Sequence, residues 1–144
     1  MLIVCDIDGT IAEPGERLKY LEKDPPDYES FYRDSFMDEP IKAICDLVHE
    51  LEAHHEIIFC TGRTDIVRSK TENWIIENIG IEDFTLLMRN SGDERHDTIV
   101  KPELLSEHSL SPDNVWFIIE DRNCVVKKWR ELGYTVIQPR EGEF

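Results

Sequence analysis

No apolar run in the sequence approaches the roughly 20 residues that a helix needs to cross a bilayer. The first apolar segment, Met1 to Cys5, lacks the basic flank and small-residue cleavage site of a signal peptide, so a soluble, cytoplasmic protein with no membrane partner is expected. There is no internal repeat, linker or low-complexity tract. Basic residues are scarce: 16 Lys and Arg stand against 31 Asp and Glu, a formal net charge of −15. That balance excludes a protein that holds nucleic acid through a broad basic face, although a small, locally basic site is still allowed. The four cysteines, at positions 5, 45, 60 and 124, form no CxxC pair and have no His at zinc-ligand spacing. Cys5 and Cys60 end apolar runs and read as buried free thiols. His54-His55 reads either as a metal pair or as part of a charged helix-to-strand loop, and the loop is expected.

What is present is the material of one domain, spanning residues 1–144 with 40% hydrophobic residues. Met1–Cys5, Glu56–Cys60, Thr85–Met88, Val115–Ile119 and Tyr134–Ile137 read as strands buried on both faces. Ile41, Ile44, Cys45, Val48 and Leu51 recur at helical spacing, with Asp38 expected as N-cap and Pro40 in the first turn. Further helices are expected from about Asp65 to Asn78, around Pro102–Leu105, and from about Asn123 to Leu132. Alternating strands and helices imply an α/β sandwich with a central parallel sheet. Residues 13–37 show no periodicity and read as a small insertion over the active site. Its aromatics, Tyr20, Tyr28, Phe31, Tyr32 and Phe36, fit either a satellite core or substrate contacts.

The sharpest signal is Leu2-Ile3-Val4-Cys5-Asp6-Ile7-Asp8-Gly9-Thr10. An apolar strand delivers two carboxylates to its C-terminal end, the edge where parallel α/β sheets bind ligands. One carboxylate can attack phosphorus while the other exchanges a proton with the leaving group, and both are near enough to share a divalent cation. The competing reading is a calcium loop, which needs a Glu at its twelfth position; Arg17 stands there, and a strand precedes the motif instead of a helix.

DxDGT after an apolar strand resembles the first motif of the haloacid dehalogenase superfamily of phosphotransferases. The other motifs follow in order: Thr61 in Cys60-Thr61-Gly62-Arg63, Lys101 between the third and fourth strands, and Glu120-Asp121 after the fourth. Singly, Thr61 could cap a helix, Lys101 could be a surface lysine, and Glu120-Asp121 could belong to an N-cap. Together they would be coincidences at one sheet edge. Over nearly the whole chain the sequence is similar to the 3′-phosphatase domain of bacteriophage polynucleotide kinase. The matches are Arg17, Gly62-Arg63, Asp97, Asp121-Arg122, Lys128-Trp129-Arg130 and the tail Gly142-Glu143-Phe144. One departure is Glu120, where that family usually has Asp; the other is the lack of a GxxxxGK phosphate loop, so a free-standing phosphatase is expected.

The resemblance implies a Rossmann-like three-layer sandwich with a parallel five-stranded sheet and a small or absent cap. It implies a Mg²⁺-dependent phosphomonoesterase in which Asp6 is the nucleophile and Asp8 the general acid. Mg²⁺ would sit on the Asp6 carboxylate, the Asp8 main-chain carbonyl and Asp121, with Glu120 acting through water. Thr61 and Lys101 would hold phosphoryl oxygens, Asp97 would orient Lys101, and Arg17 and Arg63 would grip substrate phosphate. The substrate implied is a nucleic-acid 3′ end, with a separate kinase or ligase as a compatible partner. The net charge favours instead a nucleotide or another small phosphomonoester, and a degenerate, binding-only member is a third reading.

Overall fold

The computed structural model describes residues 1–143; Phe144, the last residue of the tail resemblance, lies outside them. The strands are β1 (Leu2–Cys5), β2 (Ala12–Glu13), β3 (Glu39–Pro40), β4 (Glu56–Thr64), β5 (Thr85–Arg89), β6 (Val115–Ile119) and β7 (Val136–Ile137). The α-helices are α1 (Tyr28–Arg33), α2 (Lys42–Glu52), α3 (Arg68–Ile79), α4 (Asp97–Glu107) and α5 (Asn123–Glu131). The main sheet has the order β5-β4-β1-β6-β7 and every pair in it is parallel.

Alternation along β1 divides the core into two layers. Ile3 and Cys5 face a cluster that includes Val48 of α2 and Trp74 and Ile75 of α3. Val4 faces the other side, with Leu104 and Leu105 of α4 and Val125 and Trp129 of α5. Burying each such side chain contributes about 1.5–3 kcal/mol, so the paired faces account for β1 lying at the centre. The chain leaves β1 towards β4 and β5, then crosses to β6 and β7, and this reversal opens a crevice at the carboxyl end of β1. No helix of the described residues is long and apolar enough to cross a membrane.

Three local expectations are corrected. The short helix around Pro102 is part of the eleven-residue α4. Pro102 forgoes one main-chain bond inside it, and burial of Val100, Leu104 and Leu105 offsets that loss. Asp38 does not cap α2, whose N-cap is Ile41. Pro40 lies instead in β3, paired antiparallel with β2, and the Asp38 side chain is drawn to two arginines. The segment 13–37, which has no periodicity in sequence, holds 3-10 turns at Gly15–Tyr20 and Asp34–Met37 and the helix α1 between them. Its aromatics divide in role, since Phe31 is buried while Tyr28 and Phe36 are 54% and 52% exposed.

Candidate active site

β1 hands Asp6 to the crevice, and the Asp6 amide still bonds the Ile119 carbonyl at 2.9 Å, continuing the pairing with β6. The chain then turns tightly: the Ile7 carbonyl accepts from the amides of Thr10, Ile11 and Ala12 at 3.0–3.1 Å. Gly9 makes that turn at φ 85°, and a Cβ there would stand 2.2 Å from Asp121 Oδ2. Glycine therefore provides both the left-handed conformation and the space for the acidic end of β6.

Asp6, Glu120 and Asp121 are all buried and offer carboxylate oxygens within 4.8 Å of one another. Lys101 reaches them from α4, its Nζ donating to Asp6 Oδ1 at 2.7 Å and Glu120 Oε2 at 2.8 Å. Burial opposes its charge, but Asp6 and Glu120 outweigh burial and hold the ammonium well above its ordinary pKa. Burial, and next the Asp6 charge, push Asp121 up to about 7 against the hydrogen bond from Thr10. Glu120 is raised by the same two causes. The Thr10 hydroxyl lies 3.2 Å from Asp6 Oδ2 and 3.1 Å from Asp121 Oδ1, one proton shared between two acids. Asp121 Oδ2 is buried with no hydrogen-bond partner among the described residues. Three crowded carboxylates, Asp121 with an oxygen to spare, form a donor set that fits a hard divalent cation such as Mg²⁺, beside an ammonium that offsets part of their charge. Among the described residues, His54 and His55 belong to no such cluster; the His55 ring lies 5.0 Å from that of Trp116.

Asp8 faces a different set of partners. Arg63 donates to it through Nε at 3.0 Å and Nη2 at 2.8 Å, and Arg17 Nη2 donates from the other side. Burial alone would raise the Asp8 pKa, yet the two guanidinium charges outweigh it and hold the carboxyl well below the usual range. Behind both arginines sits Asp38, whose side chain is 3% exposed. Arg17 also donates to the Phe31 carbonyl at 3.1 Å and stacks 4.1 Å over the Phe31 ring. Neither Glu13 nor Glu16 holds it; Glu13 pairs with Arg140.

Thr61 is buried, and its hydroxyl oxygen accepts from the Arg63 amide at 3.1 Å. Asp97 lies between Arg89 and Arg122, with Arg122 Nη1 at 2.9 Å, and it influences Lys101 through charge. A Cβ on Gly62 would meet Asp97 Oδ1 at 2.3 Å. The Gly62 carbonyl accepts from Tyr32 Oη at 3.0 Å and from Arg89 Nε at 2.8 Å. Burial, and next the Asp97 charge, push Tyr32 up to about 12, so its phenol keeps the proton that it donates. These groups enclose a cavity of about 40 Å³ whose walls include Asp6, Asp8, Tyr32, Asp97, Lys101 and Arg122.

The candidate site residues Asp6, Asp8, Arg17, Thr61, Arg63, Asp97, Lys101, Glu120 and Asp121 meet at the carboxyl edge of the sheet, although Asp8 stands with the arginines and Glu120 with the carboxylate cluster. Sequence reasoning missed Asp38, because an acid before a proline and a helical pattern reads as a cap. It also missed Arg89, which the end of a buried strand at the same edge would have signalled.

The family model for the polynucleotide kinase PNKP phosphatase domain matches residues 1–144. A putative bifunctional polynucleotide kinase/RNA ligase of Autographa californica nuclear polyhedrosis virus is 32% identical over 132 residues, covering 90% of this chain and 18% of that protein. A solved chain of the Pnkp1/Rnl/Hen1 RNA repair complex superposes with a TM-score of 0.80 at 28% identity, over 99% of this chain and 43% of that one. A haloacid dehalogenase-like family hydrolase from Streptococcus pneumoniae shares the fold, with a TM-score of 0.64 at 19% identity over 95% of this chain and 83% of its own. The chain therefore spans 18% of the curated relative and less than half of the repair-complex chain.

Proposed function

The chain belongs to the polynucleotide kinase PNKP phosphatase domain family, and from that membership we propose that it removes the 3′-phosphate from nucleic-acid ends through an aspartyl-phosphate on Asp6. The observation that carries this reading is that Asp6 and Asp8 line one small cavity in opposite settings, Asp6 beside the Lys101 ammonium and Asp8 between two guanidiniums.

In the first step an Asp6 carboxylate oxygen bonds to phosphorus and the bond from phosphorus to the 3′ oxygen breaks. Asp8 gives its proton to that leaving oxygen. In the second step Asp8 takes a proton from water, the water oxygen bonds to the same phosphorus, and Asp6 is released with inorganic phosphate. Positioned acid and base contributions of this kind are each about 10²–10⁴-fold in rate. Thr61 and Lys101 hold phosphoryl oxygens throughout. Asp6 and Asp121, with Glu120 behind them and the Asp8 main-chain carbonyl, would hold Mg²⁺. When bound, it offsets the repulsion between carboxylates and phosphate.

Arg17 and Arg63 give Asp8 its proton-transfer role at the right moment. Before substrate enters they neutralise the Asp8 carboxylate. An incoming phosphate competes for the same N–H groups, and as they turn to it Asp8 regains its affinity for a proton. The small cavity admits a phosphoryl group and leaves the remainder of the substrate outside, which suits the end of a polymer. The polynucleotide kinase and RNA ligase activities named for the longer relative would act on the same class of substrate.

The test is release of inorganic phosphate with Mg²⁺ from a 3′-phosphorylated oligonucleotide, a 5′-phosphorylated one and free mononucleotides. The 3′ end should be hydrolysed fastest. The net charge of −15 favours a second reading, a small phosphomonoester as substrate. Preference for mononucleotides would establish that reading instead, and no turnover of any substrate would leave a binding-only domain.

A further inference from the structure

We propose that Tyr32 and Tyr28 form an aromatic step that receives the base of the terminal nucleotide, a subsite that rests on the 3′-phosphatase reading. In phosphoryl transfer the attacking and leaving oxygens lie on opposite sides of phosphorus. With Asp6 attacking and Asp8 protonating the leaving oxygen, the sugar and its base lie on the Asp8 side of the cavity. Tyr32 forms a wall of that cavity together with Asp8 and Gly62.

Its ring is held in place. The hydroxyl is tied to the Gly62 carbonyl at 3.0 Å, and the buried Phe31 ring lies against it with centroids 5.5 Å apart. Tyr28 stands four residues earlier on α1, on the same face, as helical spacing requires. Its ring stacks on that of Tyr32 at 25° with centroids 6.2 Å apart, and it is 54% exposed. The pair therefore runs from the cavity wall out to solvent as two π-faces in succession. The outer one contributes little to the core.

The charge of the chain makes this route to nucleic-acid recognition the apt one. A net charge of −15 leaves no wide basic face to track a phosphate backbone. A base has an uncharged π-face and stacks on aromatic side chains without regard to sequence or to the surrounding field. A terminal base seated on Tyr28 and Tyr32 would bring a polyanion to an acidic protein through an uncharged π-face.

The test compares kcat and KM for a 3′-phosphorylated oligonucleotide ending in a purine nucleotide with those for the same strand ending in an abasic nucleotide. The wild type should favour the base-bearing end by about tenfold in kcat/KM. Tyr28→Ala should raise KM for the base-bearing end and bring the ratio close to one, whereas Tyr28→Phe and Tyr32→Phe should keep the preference. Equal wild-type hydrolysis of both ends, or a Tyr28→Ala variant that loses activity on both alike, would overturn the aromatic step while the 3′-phosphatase reading stands. Loss of the preference in Tyr32→Phe but not in Tyr28→Ala would assign it to the Gly62 hydrogen bond and overturn the step as well. Hydrolysis of neither end would overturn the underlying reading and the step together.

Discussion

Arg17 and Asp38 form a two-pronged ion pair, Nε to Oδ1 at 2.7 Å and Nη2 to Oδ2 at 2.6 Å, with both side chains 3% exposed. The pairing fixes the plane of the guanidinium, so that the same Nη2 also meets Asp8. Stranding a buried charge costs about 3–5 kcal/mol, and removing Asp38 stops short of the upper end because Arg17 keeps Asp8 as its remaining acid. Asp38→Ala is therefore expected to destabilise the fold by about 3 kcal/mol and to lower kcat/KM, because Arg17 and Arg63 lose their common anchor. Denaturant unfolding and steady-state kinetics check this. Wild-type values in both would mean that Asp38 orients neither arginine.

Asp6→Asn and Asp8→Asn should each lower kcat by at least about a hundredfold, since an amide is neither a nucleophile nor a proton donor to an alkoxide. The two should fail differently. Acid quench of the wild type, and of Asp8→Asn given a substrate with a good leaving group, should trap phosphate on the protein; Asp6→Asn should trap none. Labelling of Asp6→Asn would refute the covalent route.

Arg17→Ala should reduce turnover of a 3′-phosphorylated oligonucleotide by about a hundredfold, and Arg17→Lys should recover only part of it. Lysine is a point charge and cannot span Asp8, Asp38 and the Phe31 carbonyl at once. Full recovery by lysine would show that charge alone is needed.

The metal-free protein should lose stability as pH rises from about 4 to about 7. Asp121 is raised from 3.8 to about 7 in the fold, so across that window the native state keeps a proton that the unfolded chain has released. Glu120 is raised too and acts with the same sign, while the depressed Asp8 affects stability only in more acidic solution. Melting temperatures in chelator should fall across the window and level off above it. At about pH 8, millimolar Mg²⁺ should restore what was lost by binding the native state alone. Asp121→Asn should flatten both the pH dependence and the Mg²⁺ response, and an undiminished Mg²⁺ response in that variant would move the cation site elsewhere.

Gly62→Ala should be more damaging than its size implies, because the new Cβ would stand 2.3 Å from Asp97 Oδ1. Asp97 is held by Arg89 and Arg122 and has little room to yield. Activity should fall by about tenfold or more with a destabilisation of about 1–3 kcal/mol, the cost of overpacking a tight site. Unchanged kinetics would show that the start of α4, which carries Asp97, gives way freely.

The parallel sheet, its helices and the acidic strand ends were legible in the linear order because each is local. Strand and helix periodicity lie within ten or so neighbours, and β1 carries Asp6 and Asp8 on its own end whatever packs around it. The motif positions Thr61, Lys101 and Asp121 came instead from the resemblance to the haloacid dehalogenase superfamily, since taken locally each reads equally as a cap or a surface residue. The partner of each charge was not. Asp38 reads locally as a helix cap, yet packing places it against Arg17 and Arg63, where pairing two guanidiniums outweighs capping one helix. Lys101 meets Asp6 across 95 positions and Thr10 meets Asp121 across 111, distances along the chain over which sequence pattern carries no register. Only the closed fold makes those carboxylates neighbours in a dry place, where burial raises Asp121 and Asp8 alike and the guanidiniums of Arg63 and Arg17 are what hold Asp8 ionised.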